Sequence, residues 1–131
     1  MPKSVTVCDE TMTGNMLHQR TIDLPGHRIT IRELIRNRVF QEVRDFNENQ
    51  PDDYNGLVQP SDAEPTEGGC RLRIPRKINW RQQYERAVSA FRSKQILIVV
   101  DDRQVDSLHD EVRITADTRV SFFRLAPLVA G

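Results

Sequence analysis

Arg119-Val120-Ser121-Phe122-Phe123-Arg124-Leu125-Ala126-Pro127-Leu128-Val129-Ala130-Gly131 closes the sequence and decides how the rest is read. The stretch alternates and is rich in β-branched and aromatic residues, the pattern of a strand with one buried face. Pro127 has no N–H to give to a ladder, so the strand is expected to stop short of it. Small and apolar residues follow, and residues 126–131 are expected to form a flexible tail that ends on a glycine carboxylate. Glycine has no Cβ, so no carboxylate on a chain is less hindered. That matters only where an enzyme must reach and activate it, because most chain ends fray and do nothing.

Upstream of this strand runs Ile96-Leu97-Ile98-Val99-Val100, a continuous apolar stretch that predicts a central strand buried on both faces. Asp101-Asp102 then makes a turn, Arg103-Gln104-Val105 reads as a short strand, and Asp110–Ile114 as a connecting segment. Thr115–Thr118 turns into the closing strand. At the other end, Val5–Thr11 and Leu17–Leu24 both alternate and flank the turn signal Thr13-Gly14-Asn15, so the chain opens with a β-hairpin. Thr30 and Glu33 have capping-box spacing. They open a helix whose stripe is Ile31, Leu34, Ile35, Val39, Val43 and Phe46. Arg32, Arg36, Arg38, Glu42, Arg44 and Asp45 are assigned to a solvated outer face. A second helix starts at Asn79, with Trp80, Tyr84, Ala87, Val88 and Phe91 as its core stripe.

Between the helices the periodicity is lost. Residues 48–77 hold four prolines and three glycines, begin acidic and end basic at Arg71, Arg73, Arg76 and Lys77. They predict a mobile insertion that buries little surface, with Cys70–Ile74 able to pair as an extra strand. The basic cluster is read as a solvated loop.

The length of 131 residues fits a single domain with a real core. Nineteen basic residues balance nineteen acidic ones, which argues against a partner bound by phosphate neutralisation, so no nucleic acid is expected. No long apolar run predicts a membrane span, and the absence of a signal-peptide pattern places the chain in the cytosol. Cys8 and Cys70 have no Cys or His at ligand spacing and are read as reduced thiols. His18, His27 and His109 are read as surface residues. No zinc motif, phosphate loop or dinucleotide fingerprint occurs, so neither metal nor cofactor is expected. No nucleophile–base pair points to an enzyme.

The order of elements is hairpin, long helix, insertion, second helix, then strands, which gives an α+β class. Two parts of the chain are similar to ubiquitin. One is the start, strand–Thr13-Gly14–strand–Pro25–capped helix. The other is Ile98–Val105 followed by Thr115–Gly131. The likeness covers about the first forty-five and the last thirty-five residues and omits Glu48–Gln95. The end, with Pro127 and Gly131, also resembles the sulfur carriers of molybdopterin and thiamine synthesis. The resemblance implies a β-grasp fold, a mixed sheet with a long helix, here carrying an inserted loop and a second helix. It further implies a ubiquitin-like modifier of a bacterial-type pathway. In those families the terminal carboxylate is adenylated by an ATP-dependent activating enzyme and passed through a transfer enzyme to a target protein. Carried over by position, Gly131 is the activated residue, and Leu128, Val129 and Ala130 form the tail that docks in the partner. The sequence departs from the family in ending Ala-Gly rather than Gly-Gly and in lacking an arginine-rich tail. A sulfur carrier with a C-terminal thiocarboxylate, and a β-grasp interaction module with an inert tail, remain as alternatives.

Overall fold

The computed structural model describes residues 3–11 and 13–125. The chain opens with β1 (Lys3–Glu10) and returns as β2 (Met16–Leu24), antiparallel, with Val5 opposite Ile22. Alternation decides which side faces inward. Val5, Val7 and Asp9 of β1 and Ile22 and Leu24 of β2 are buried, while Thr21 and Asp23 are exposed. A three-residue strand, β3 (Arg28–Thr30), leads into α1 (Ile31–Asn49). The expected capping box forms. Glu33 N donates to Thr30 Oγ1 at 3.1 Å, and Thr30 N donates back to Glu33 Oε1 at 3.2 Å. Such a cap contributes about 1 kcal/mol to helix stability. The helix stops where Gln50 turns left-handed, at φ 47°, with its N–H on Phe46 O.

After the insertion come α2 (Trp80–Arg92), β6 (Ile96–Val100), β7 (Arg103–Val105), β8 (Glu111–Arg113) and β9 (Val120–Arg124). The insertion itself holds β4 (Ala63–Thr66) and β5 (Gly69–Leu72). Asn79 caps α2 by accepting from Arg81 N and Gln82 N. Five strands form one mixed sheet in the order β2-β1-β9-β6-β7. β9 lies in its middle, parallel to β1 and antiparallel to β6. The β6–β7 loop is two residues long, and both Asp101 and Asp102 have positive φ, which matches the right-handed strand twist. Asp101 also exchanges hydrogen bonds with Arg119, which fixes the entry to β9. The core gathers on one face of this sheet, beneath both helices.

The fold departs from the sequence reading in several places. Ile96–Val100 is an interior strand, paired with β9 and β7, but it is not buried on both faces. Ile96, Ile98 and Val100 are buried, but Leu97 and Val99 are only half-covered, because the helices gather on one face and β9 takes the middle. The segment Asp110–Ile114 is more than a connection, since β8 pairs with β3 in a separate two-stranded sheet. Arg38 and Glu42 are buried and do not belong to the solvated face assigned to them. Finally, the 48–77 stretch does contribute to the core, through Tyr54, Leu57, Cys70 and Leu72.

The insertion achieves this without periodicity because side chains and close backbone contacts hold it. The amide of Asn47 acts as a strand edge, donating to Ile78 O at 2.9 Å and accepting from Ile78 N at 2.8 Å, so the base of the excursion is closed. Tyr54 and Cys70 exchange backbone bonds at 2.7 and 2.9 Å, and the Tyr54 ring stands edge-on to Phe46. Gly69 permits that approach. It has φ +131°, and a Cβ there would lie 2.3 Å from Tyr54 O. The acidic start of the segment meets its basic end: Arg71 pairs with Asp53, Arg73 with Glu64 and Arg76 with Asp62. The three arginines of the basic cluster are therefore matched by carboxylates from their own segment.

Candidate functional site

The sequence reading expects the functional end after β9, so the end of that strand is the candidate site. Leu128, Val129, Ala130 and Gly131 lie outside the described residues. Their root does not. β9 runs beside β1 with Asp9 opposite Phe122 and Glu10 opposite Phe123. Leu125 N donates to Gln95 O at 3.0 Å, which ties the last described residue to the start of β6.

Beneath this root lies a group of charges that the sequence reading missed. Asp9, Arg38 and Glu42 have no more than 2% of their surface exposed. Asp9 continues the inward positions of β1, after Val5 and Val7. Arg38 and Glu42 lie seven and eleven residues after Ile31, which at helical period puts both on the apolar stripe of α1. That spacing was the available signal. The Arg38 guanidinium grips Asp9 with two parallel bonds, Nη1 to Oδ1 and Nη2 to Oδ2, each 2.6 Å. A second bond from Nη2 reaches Glu42 Oε2 at 3.3 Å. The free oxygen of Glu42 accepts from Leu57 N at 3.2 Å, so the insertion is tied in as well. Arg124, at the end of β9, donates to Asp9 from the other side. The Arg38 guanidinium also lies 4.5 Å from the ring centre of Phe122, on the same strand. Further out, Arg20 of β2 pairs with Asp45 at 2.7 Å. One ionic cluster thus joins β1, β2, α1, the insertion and β9 at the end of the sheet where the tail leaves.

Burial is the largest single influence on Asp9 and by itself would raise its pKa. The bonds and charges of Arg38, followed by those of Arg124, together outweigh it and hold the carboxyl below its ordinary value of 3.8. Arg38 is driven the other way. Burial opposes its charge, but Glu42 and Asp9 raise its pKa above the usual arginine value. Asp9 and Arg38 therefore stay charged near neutral pH, and their paired bonds hold β1 to α1.

A depressed folded-state pKa on an acid stabilises the fold above the unfolded value and ceases to do so as pH falls through the folded value. The Asp9 contribution is therefore complete at neutral pH and is lost in acid. The urea midpoint is expected to fall as the pH drops below the ordinary carboxyl value of 3.8, and Asp9→Asn to remove much of that slope. A wild-type and variant profile of identical shape would count against the assignment.

Other candidate groups are dispersed. Cys8 is half-buried on the open side of β1. Cys70 is buried, and burial followed by Asp53 and Asp62 raises its thiol pKa, which disfavours the thiolate. His27 and His109 are exposed and His18 half-buried. Among the described residues no group of three or more His, Cys, Asp or Glu side chains is placed to hold a metal ion. No helix among them is long and apolar enough to cross a membrane. No protein family, curated protein or solved structure matches this chain.

Proposed function

We propose that this is a β-grasp, ubiquitin-like protein modifier of a bacterial-type pathway, working in the cytosol through the carboxylate of Gly131. The observation that carries the reading is the strand order. The first and last strands lie parallel at the middle of the sheet, a hairpin opens the chain, and a long helix crosses the same face. That order is the one the resemblance implies, which supports the reading; β4, β5 and α2 are inserted into it. The ionic cluster supports the reading too, because Arg124, Asp9 and Arg38 fasten the end of β9 to α1.

In this reading the Gly131 carboxylate attacks the α-phosphate of ATP on an activating enzyme, releasing pyrophosphate. The resulting acyl adenylate is then attacked by a thiol or amine, releasing AMP. The chain supplies the carboxylate and a docking tail, Leu128, Val129 and Ala130. The activating and transfer enzymes supply the catalytic groups, and the target protein supplies the final nucleophile.

Deleting Gly131 is the direct test. Unfolding is expected to be unchanged, because residues at a chain end generally contribute little to a domain's stability. ATP-dependent adduct formation with the activating enzyme, followed by mass, is expected to disappear. An adduct that survives the deletion overturns the proposal, and a thiocarboxylate mass at Gly131 replaces it with the sulfur-carrier reading.

A further inference from the structure

The outer face of the two helices carries aromatic rings and arginines that the tail chemistry does not use. Trp80 and Tyr84, assigned by the sequence reading to a core stripe, are only half-buried. Phe40 of α1 is 41% exposed and meets Trp80 edge-on, with ring centres 5.3 Å apart. The Trp80 ring has a guanidinium on either helix near it: Arg36 at 5.6 Å and Arg81 at 5.8 Å. Arg32 donates to the Tyr84 hydroxyl at 3.3 Å. Between the helices a cleft of about 230 Å³ is lined by Arg36, Asn37, Phe40 and Trp80.

What sets this face apart is that its cations stand against accessible rings. Arg71, Arg73 and Arg76 each have a carboxylate partner, as do Arg20 and Arg44. Arg32, Arg36 and Arg81 have none among the described residues, and the side chains of Arg36 and Arg81 make no hydrogen bond there either. Arg36 and Arg81 are thus unpaired cations set against the accessible ring of Trp80. Tryptophan, tyrosine and arginine are the residues that dominate protein–protein binding energy.

We propose that this α1–α2 face docks an acidic segment of a partner protein. Aspartate and glutamate side chains of that segment meet Arg36, Arg81 and Arg32, and an apolar side chain enters the cleft against Phe40 and Trp80. A carboxylate is the natural complement of a free guanidinium fork. A nucleic acid fits less well, since three cations on a neutral chain offer little release of counterions. The surface lies on the helices, whereas the tail leaves from β9, so the inference stands apart from the conjugation reading.

Trp80 is the only tryptophan, which makes its emission a direct reporter. The full chain is titrated with a blocked synthetic peptide of Asp and Glu residues around a central Leu-Leu pair, free of Trp and Tyr. A saturable change in Trp80 emission is expected with half-effect below about 1 mM, weakening as salt is raised. The double variant Arg36→Glu/Arg81→Glu is expected to bind at least about tenfold more weakly with unchanged thermal unfolding. Phe40→Ala, which leaves every charge in place, is expected to weaken binding as well. The proposal fails if the peptide causes no saturable change, if a Lys-for-acid version acts equally, or if both variants bind like the wild type. Tighter binding of oligodeoxythymidine assigns the face to nucleic acid instead. Emission that depends on protein concentration without peptide assigns it to a second copy of the chain.

Discussion

Arg38→Ala is expected to be the most damaging single substitution in the described part of the chain. The guanidinium is fully buried and grips two buried carboxylates, Asp9 and Glu42. Its removal leaves Asp9 with Arg124 alone and Glu42 with the Leu57 amide and a long contact to Arg20 at 3.9 Å. Breaking a buried pair from one side typically costs about 3–5 kcal/mol, because an uncompensated charge stays in a poorly polarisable place. A domain of this kind holds about 5–15 kcal/mol in total. The variant is thus expected to be marginal in urea at neutral pH. Its loss of stability in acid is expected to be shallower than in the wild type, because Asp9 has lost the stronger of its two cations. Replacing Asp9, Arg38 and Glu42 together by apolar residues is expected to cost less than Arg38→Ala alone, since no carboxylate is then stranded. A urea midpoint for Arg38→Ala within error of the wild type would falsify the description of the cluster as a structural anchor.

Phe91→Ala is expected to come close behind. Phe91 lies in the last turn of α2 and is 6% exposed within the core cluster. Truncating a buried phenylalanine costs about 3–5 kcal/mol through lost transfer energy and the cavity left behind. For a chain of this size the melting temperature is expected to drop on the order of 10–20 °C. Ile74→Ala is the control. That side chain is 72% exposed, and its loss is expected to stay within about 0.5 kcal/mol. Equal melting temperatures for the two variants would mean that α2 presents a different face to the sheet.

Local rules determined a good deal of this protein. The opening hairpin follows from alternation around Thr13-Gly14-Asn15. The start of α1 follows from the Thr30–Glu33 spacing and that of α2 from Asn79, because caps act over three or four residues and need no distant partner. The β6–β7 turn at Asp101-Asp102 is local in the same sense. Each of these features is written in neighbouring residues.

Only the tertiary structure decided what depends on residues far apart in the chain. The apolar run Ile96–Val100 reads as doubly buried, yet both helices lie over one face, so Leu97 and Val99 keep part of their surface. The prolines and glycines of 48–77 destroy periodicity and not burial. Tyr54 and Leu72 enter the core because Asn47 and Ile78 close the loop, a contact between residues thirty-one apart. Trp80 reads as core by helical spacing and is instead shared between Phe40, Arg36 and solvent. Arg38 shows the difference most plainly. Its place on the apolar stripe was legible, but a charge is tolerated there only if a partner arrives, and that partner is Asp9, twenty-nine residues away on a strand. Periodicity tells which way a side chain points; only the fold tells what it meets.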